Sequence, residues 1–534
     1  MPYRYVILAV LLGVGVFYNQ GVIPLDGEEH RRAFVAIEMM YRNNWIVPTM
    51  IGDIYRAKPP LFEWVLMGAY QLFGSMEEWV VRIPSNAALL VLAGLTGWWY
   101  RRHVGTRMAY WAALMVPTSV GIFYNYSFRG GEIDFFFSML MFGAMGGLFY
   151  FGERKQWGLF YLVPFTLTAL AFLAKGFPAP IHLYLTLAVY VWMKGDWKRL
   201  FSVWHFVGIA VLLGITGGYF YIYSQQAPVM DYLRVLWGES SSRTVVSHNP
   251  FGPFFDNFLK FPIRIIVEVL PWSLMGLWFF KKSVRDMVWN HPALKYSVLV
   301  LAINLPIYWI SPGTLARVRY FYPFLPFAMV LMASLLEKPE SLPECDVWLK
   351  RATFIMSLTG VIVGVGLAGF GIVHYQVIGG VGLVVALTAA IVSLGAGWYY
   401  YRTRVSSIFL MMLILVTLRF SMDSVYLPYR ATHGADVRVK RLAARILELD
   451  HGRPLRYWGG TIEKRYPNLS LFYYLEKQTG KVVYRETTLR PGVLYFSHEL
   501  DVPKLPIRIL ETMTLKYRTI VVFEALSEKE SANN

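Results

Sequence analysis

The chain has 534 residues, of which 56% are apolar and 16% charged, and it carries a formal net charge of +17. Ordinary soluble chains hold about 45–50% apolar and about 25% charged residues, so the long uncharged apolar runs exclude a soluble, fibrous, disordered or nucleic-acid-binding protein. One cysteine, Cys345, excludes an intramolecular disulfide framework, and the chain reads as a polytopic membrane protein.

A bilayer crossing needs about 20 mostly apolar residues. Thirteen such runs are expected, near 5–23, 80–100, 108–125, 133–151, 157–174, 177–193, 202–223, 263–280, 295–311, 320–336, 352–373, 377–399 and 405–424. Under that count one set of short loops collects the basic residues, among them Arg101, Arg102, Arg154, Lys155, Lys281, Lys282, Arg402 and Arg404. With Arg4 these define the cytoplasmic side and place the N-terminus there. No small-residue cleavage site follows the first run, which therefore reads as retained. The opposite side receives 24–79, 224–262, 311–319 and the tail from 425. The expected organisation is an all-α polytopic domain over 1–424 and a small outward α/β domain over 425–534. In the tail a helix is expected at 435–449, with β-rich runs at Val482–Tyr484, Val493–Phe496 and Thr519–Phe523.

In chain order, the first outward loop opens on Asp26-Gly27-Glu28-Glu29-His30-Arg31-Arg32. An amphipathic segment, Ala33–Tyr41, follows and suits an interfacial helix. The loop then runs through Tyr55-Arg56-Ala57-Lys58-Pro59-Pro60, whose proline pair forces an extended entry into a helical run at Leu61–Phe73. A solvated interfacial stretch would also look like this. Asp134 sits where a helix enters the bilayer, beside Arg129; it is either a helix N-terminal charge or a carboxylate facing a protein cavity. Lys175-Gly176 is either a tight turn with a snorkelling lysine or a cation aimed at a buried anion. His248 lies in the 224–262 loop, where a structural hydrogen-bonded role competes with a chemical one. Before the tenth run, Arg317 and Arg319 alternate and suit a phosphate by bidentate hydrogen bonding. All these groups share one side of the membrane, as an outward site for a phosphorylated amphipathic substrate requires. No Walker A loop, dinucleotide fingerprint, His-Glu-x-x-His or Gly-x-Ser-x-Gly competes.

Glu28-Glu29-His30-Arg31-Arg32, Glu38-Met39, Trp45, Pro48, Gly52, Tyr55 and Lys58-Pro59-Pro60-Leu61 with Trp64 resemble the first-loop signature of the protein-O-mannosyltransferase-like superfamily. The prokaryotic branch resembled is that of the bacterial aminoarabinose (lipid A) transferases. Arg129 with Asp134, Lys175-Gly176, His248-x-Pro250-Phe251, Pro271-Trp272-Ser273 and Arg319-Tyr320-x-x-Pro323 recur in the same order. Two departures stand out. The usual Asp-Glu pair is Glu28-Glu29 here, with Asp26 a rival, and Ala57 replaces the Glu that often precedes Lys-Pro-Pro.

The resemblance implies a GT-C glycosyltransferase of the bacterial inner membrane with a periplasmic active site and C-terminal domain. Its donor is a sugar on a polyprenyl phosphate; its acceptor is a lipid or glycan of the lipid A type, or alternatively a protein Ser/Thr. In that reading Glu28, Asp134 or Asp26 is the catalytic carboxylate. Lys58, Arg317, Arg319, Lys175 and Arg129 hold the donor phosphate. His248, Glu29, Tyr55 and Tyr320 position substrate. No cofactor is required; a divalent metal could be held by Glu28, Asp134 and His248, although no spacing demands one. A lipid-linked-sugar flippase would need midplane ionisable groups and inverted repeats, and the sequence offers neither. A non-enzymatic assembly protein leaves the first-loop signature without a role.

Overall fold

A computed structural model describes residues 3–125, 130–241, 251–310, 318–337, 343–402, 407–434, 437–459, 469–515 and 518–526. Among them seven helices are long and apolar enough to cross a membrane: Glu78–His103, Asp134–Glu153, Trp157–Lys175, Val203–Ser224, Val347–Val373, Tyr375–Tyr400 and Ser407–His433. Phe255–Glu268 and Trp272–Phe280 make an eighth if counted as one span bent by 119°. Other apolar runs expected from the sequence are carried by shorter helices, Tyr5–Phe17, Pro178–Lys194, Pro292–Asn304 and Val318–Ser334. The 108–125 run is divided into Ala109–Met115 and Val120–Asn125. Pro117 lies at the break, where a proline removes a backbone donor and its ring clashes with the preceding turn.

The first loop folds as a helix, a hairpin and a second helix. Glu29–Tyr41 is followed by β1 (Thr49–Met50) and β2 (Asp53–Ile54), then by Leu61–Phe73, the run that the Pro-Pro entry predicts. Gly52 turns the hairpin with φ +77°, and Tyr484 packs directly against it, so both conformation and space call for glycine. The helix Glu29–Tyr41 does not present one face outward as an interfacial helix would. Residues 33–39 are all buried, enclosed between Leu61–Phe73 and a helix of the tail.

The last long helix runs on to His433, through the boundary expected near 425. The tail elements are a helix Val437–Asp450, β3 (Leu455–Trp458), a helix Leu469–Thr479, β4 (Arg485–Glu486), β5 (Leu494–His498), β6 (Ile507–Leu515) and β7 (Arg518–Ala525). The strands form one sheet in the order β4-β3-β5-β7-β6, with β3 parallel to both β4 and β5 and the remaining pairs antiparallel. Val482–Tyr484, expected as a strand, is the irregular approach to β4.

First loop and tail share one hydrophobic core. Phe34, Ile37 and Met39 pack in the same cluster as Leu442, Ile446, Phe472, Phe496 and Ile520. Polar ties close the seam: Leu25 N donates to Tyr474 Oη (3.2 Å), which donates to Glu78 (2.9 Å), and Arg485 pairs with Asp53 at 3.0 Å.

Candidate active site

The first loop is held in place by a buried ion pair. Arg82, on the first long span, contacts Glu29 at 2.6 Å with both side chains fully buried, and it also donates to the carbonyls of Gln20, Ile23 and Pro24. Glu29 further accepts from the backbone N–H groups of Asp26 (2.8 Å) and Gly131 (3.0 Å). Its carboxylate thus fastens the loop to the bundle. Asp26 points elsewhere, to Arg430 at 3.4 Å.

With the loop fixed, six separate stretches of chain converge on a cleft of about 420 Å³. Its wall includes Glu28, Arg31, Arg32, Tyr55, Ala57, Lys58, Asp134, Lys175, Glu239, Arg319 and Tyr320. Asp134 begins its helix and accepts from Lys175 Nζ at 2.5 Å, while Arg319 stands 3.5 Å from its other oxygen. Arg319 in turn contacts Glu132 at 2.6 Å. Burial lifts the Glu132 carboxyl to about 7, against the pull of Arg319. Gly176 ends the Trp157–Lys175 helix at φ +85°, which leaves Lys175 as its last residue, at the mouth of the cleft. Arg32 spans Glu63 (2.5 Å) and Tyr55 Oη (2.6 Å), and Lys58 is fixed through its carbonyl, which accepts from Tyr232 Oη at 2.6 Å. Glu28 is about a quarter exposed and 3.1 Å from Arg31.

A second cavity of about 620 Å³ adjoins the first and shares Lys58, Lys175, Glu239 and Tyr320 with it. Its other walls are mostly apolar: Phe137, Pro178, Ile181, Ile307, Tyr308 and Pro323, with His182 tied to Asn304 (2.9 Å) and Tyr308 (2.7 Å). A cation-rich chamber leading into an apolar one matches a ligand with an anionic head and a hydrocarbon tail.

Of the residues singled out by sequence, the cleft brings together Glu28, Asp134, Lys58, Lys175, Arg319, Tyr55 and Tyr320. Asp26 and Glu29 are not in its wall. Arg129, His248 and Arg317 lie outside the described residues. Glu239, Glu63 and Glu132 were not singled out, and Arg32 was named only within the first-loop signature, without a role; Glu239 lies in the last turn of an amphipathic helix, Val229–Ser241, whose register alone would not reveal what it faces. Among the described residues no group of three or more His, Cys, Asp or Glu side chains could hold a metal. Asp134 is already held by two cations, and five cations in the wall outnumber three carboxylates. This donor set fits an anion and does not fit a divalent cation.

Residues 57–222 match the family model of dolichyl-phosphate-mannose-protein mannosyltransferases. An undecaprenyl phosphate-alpha-4-amino-4-deoxy-L-arabinose arabinosyl transferase of Edwardsiella ictaluri is 29% identical over 265 residues, covering 47% of this chain and 46% of the relative. One from Proteus mirabilis is 26% identical over 64% of this chain and 62% of its own length. The match to the first of these thus spans about half the relative's length. The crystal structure of ArnT from Cupriavidus metallidurans bound to undecaprenyl phosphate superimposes with a TM-score of 0.72 at 18% identity, covering 98% of both chains. The protein is a multi-span membrane protein with the fold seen in this ArnT structure, and its 57–222 stretch is similar to the mannosyltransferase model.

Proposed function

We propose that the protein is an integral-membrane glycosyltransferase of the bacterial inner membrane. It moves a monosaccharide from a polyprenyl-phosphate donor to a lipid or glycan acceptor of the lipid A type on the periplasmic side, with residues 437–534 as a periplasmic domain. The observation that carries this reading is the pair of joined chambers meeting at Lys58 and Lys175. The donor's lipid tail takes the apolar chamber, and its phosphate meets Lys58, Lys175 and Arg319, with Arg129 and Arg317 as further candidates.

In the transfer, an acceptor oxygen attacks the anomeric carbon as the bond from that carbon to the phosphate oxygen breaks. The polyprenyl phosphate leaves with the bonding electrons, and the clustered cations stabilise its new charge. A hydroxyl acceptor loses its proton to Glu28, the carboxylate with room to receive it; a phosphate acceptor needs no such step. Asp134 orients Lys175 and Arg319, while Tyr55 and Tyr320 position the sugar. Single displacement inverts the anomeric configuration.

Purified protein supplied with radiolabelled polyprenyl-phosphate sugars should label a lipid A-type acceptor, and Lys58→Ala should raise the donor KM or lower kcat. Label that never leaves the donor with any acceptor would overturn the reading. The family match over residues 57–222 favours a second acceptor class, Ser/Thr in protein; label moving to a peptide and not to lipid would select it.

A further inference from the structure

A third cavity lies away from these chambers, in the tail. It is an open cleft of about 1380 Å³ between the turn after Val437–Asp450, the start of β3 and the 479–484 segment, and Tyr41 of the first-loop helix closes one side. Three cations line it, Arg453, Arg456 and Lys481, against one carboxylate, Asp450. Arg453 is anchored by Glu524 at 2.5 Å and by the carbonyl of Asp450. Lys481 is exposed. Tyr484 keeps 42% of its surface exposed, with the Arg456 guanidinium 5.7 Å from its ring centroid. Asp450 Oδ1 is shielded from solvent and has no hydrogen-bond partner among the described residues.

The exposed Tyr484 ring offers a face to a sugar ring, the Asp450 oxygen accepts from a hydroxyl, and excess positive charge selects an anion. The volume far exceeds one phosphate. Tyr41 and Glu29 stand at opposite ends of a 13-residue helix that begins directly after Glu28, so the helix axis between this cleft and the Glu28 end is roughly 18 Å long at a rise of 1.5 Å per residue. We infer that this cleft is a subsite for an anionic oligosaccharide, the sugar portion of an acceptor whose lipid end is being modified in the catalytic cleft. Its assignment to the acceptor rests on the glycosyltransferase reading; its affinity for the saccharide does not.

The test uses the full-length protein in nanodiscs. Two acceptors are compared, a lipopolysaccharide bearing a phosphorylated core saccharide and lipid A lacking it. Binding of the released acidic core oligosaccharide is measured separately by titration. Wild type should prefer the longer acceptor in kcat/KM, and Lys481→Glu should reduce that preference roughly tenfold, on the order of one charge-assisted contact. The same variant should weaken oligosaccharide binding to a similar degree, with Lys481→Gln intermediate. Oligosaccharide that fails to bind wild type, or binds Lys481→Glu equally well, overturns the subsite. Lysine-dependent binding without transfer to any acceptor would sink the enzymatic reading and leave the subsite standing.

Discussion

Two carboxylates in the candidate cleft, Asp134 and Glu28, are distinguished by their partners. Asp134 is buried and held by Lys175 at 2.5 Å and Arg319 at 3.5 Å, whereas Glu28 is about a quarter exposed with Arg31 as neighbour. A carboxylate neutralised by two cations is a poor proton acceptor and a good organiser. Glu28→Gln should therefore cut transfer to a hydroxyl acceptor by roughly 10²–10⁴-fold with little change in melting temperature. Asp134→Asn should lower both turnover and stability, the latter by about 3–5 kcal/mol, since it removes the carboxylate charge that Lys175 faces at 2.5 Å in a buried site. Parallel kinetics and thermal melts check the split; a destabilised Glu28→Gln or a fully stable Asp134→Asn would reverse the roles. Much of this cleft was legible in the sequence because lysine, arginine and aspartate are costly at span ends unless they face partners. Glu239 was not legible, because its place in the cleft wall depends on how Val229–Ser241 packs and on no local pattern. Nor does the sequence separate Glu28 from Glu29: adjacent helix-entry acids point in different directions, and only the fold sends Glu29 to Arg82.

At the scale of elements, the first loop is a scaffold fastened at several points. Arg82→Met leaves Glu29 buried without its cation and should cost about 3–5 kcal/mol, read as a lower melting temperature in detergent. The Glu29–Tyr41 helix also carries Glu38, fully buried, which accepts from the N–H groups of Ile51 and Gly52 at the hairpin turn. Burial raises its carboxyl from 4.5 to about 7, and Glu476 on the facing tail helix is raised in the same sense by burial and by Glu38. A carboxyl raised in the fold stabilises it in the protonated form. The contribution is complete below about 4.5, where the unfolded chain is also protonated, and is lost as pH climbs through about 7. The melting temperature should fall across that interval, and Glu38→Gln should flatten the slope without abolishing it, because Glu132 also titrates near 7. The helix after Pro60 was readable from its punctuation. The β1–β2 hairpin and the irregular Val482–Tyr484 were not, since a β-branched run becomes a strand only when a neighbour offers a free edge.

For the molecule as a whole, the tail is not an appendage. Its helices and strands complete the core that encloses residues 33–39 of the first loop. Removing residues 437–534 should therefore yield protein that aggregates on size-exclusion chromatography, and not an enzyme with merely altered acceptor preference. A truncated form that stays monodisperse and active would disprove this. Hydropathy announces the membrane class but is silent about that union, because a contact between residue 25 and residue 474 leaves no local mark on either segment.

That contact joins positions 449 residues apart. At about 5–20 residues per second, a ribosome needs roughly half a minute to two minutes to make all 534 residues. Throughout that interval the first loop waits without the partner that covers its apolar helix. The carboxylates and cations of the cleft sit beside a loop whose covering partner is made last. The unfinished loop is therefore an apolar stretch left uncovered until the tail has been made.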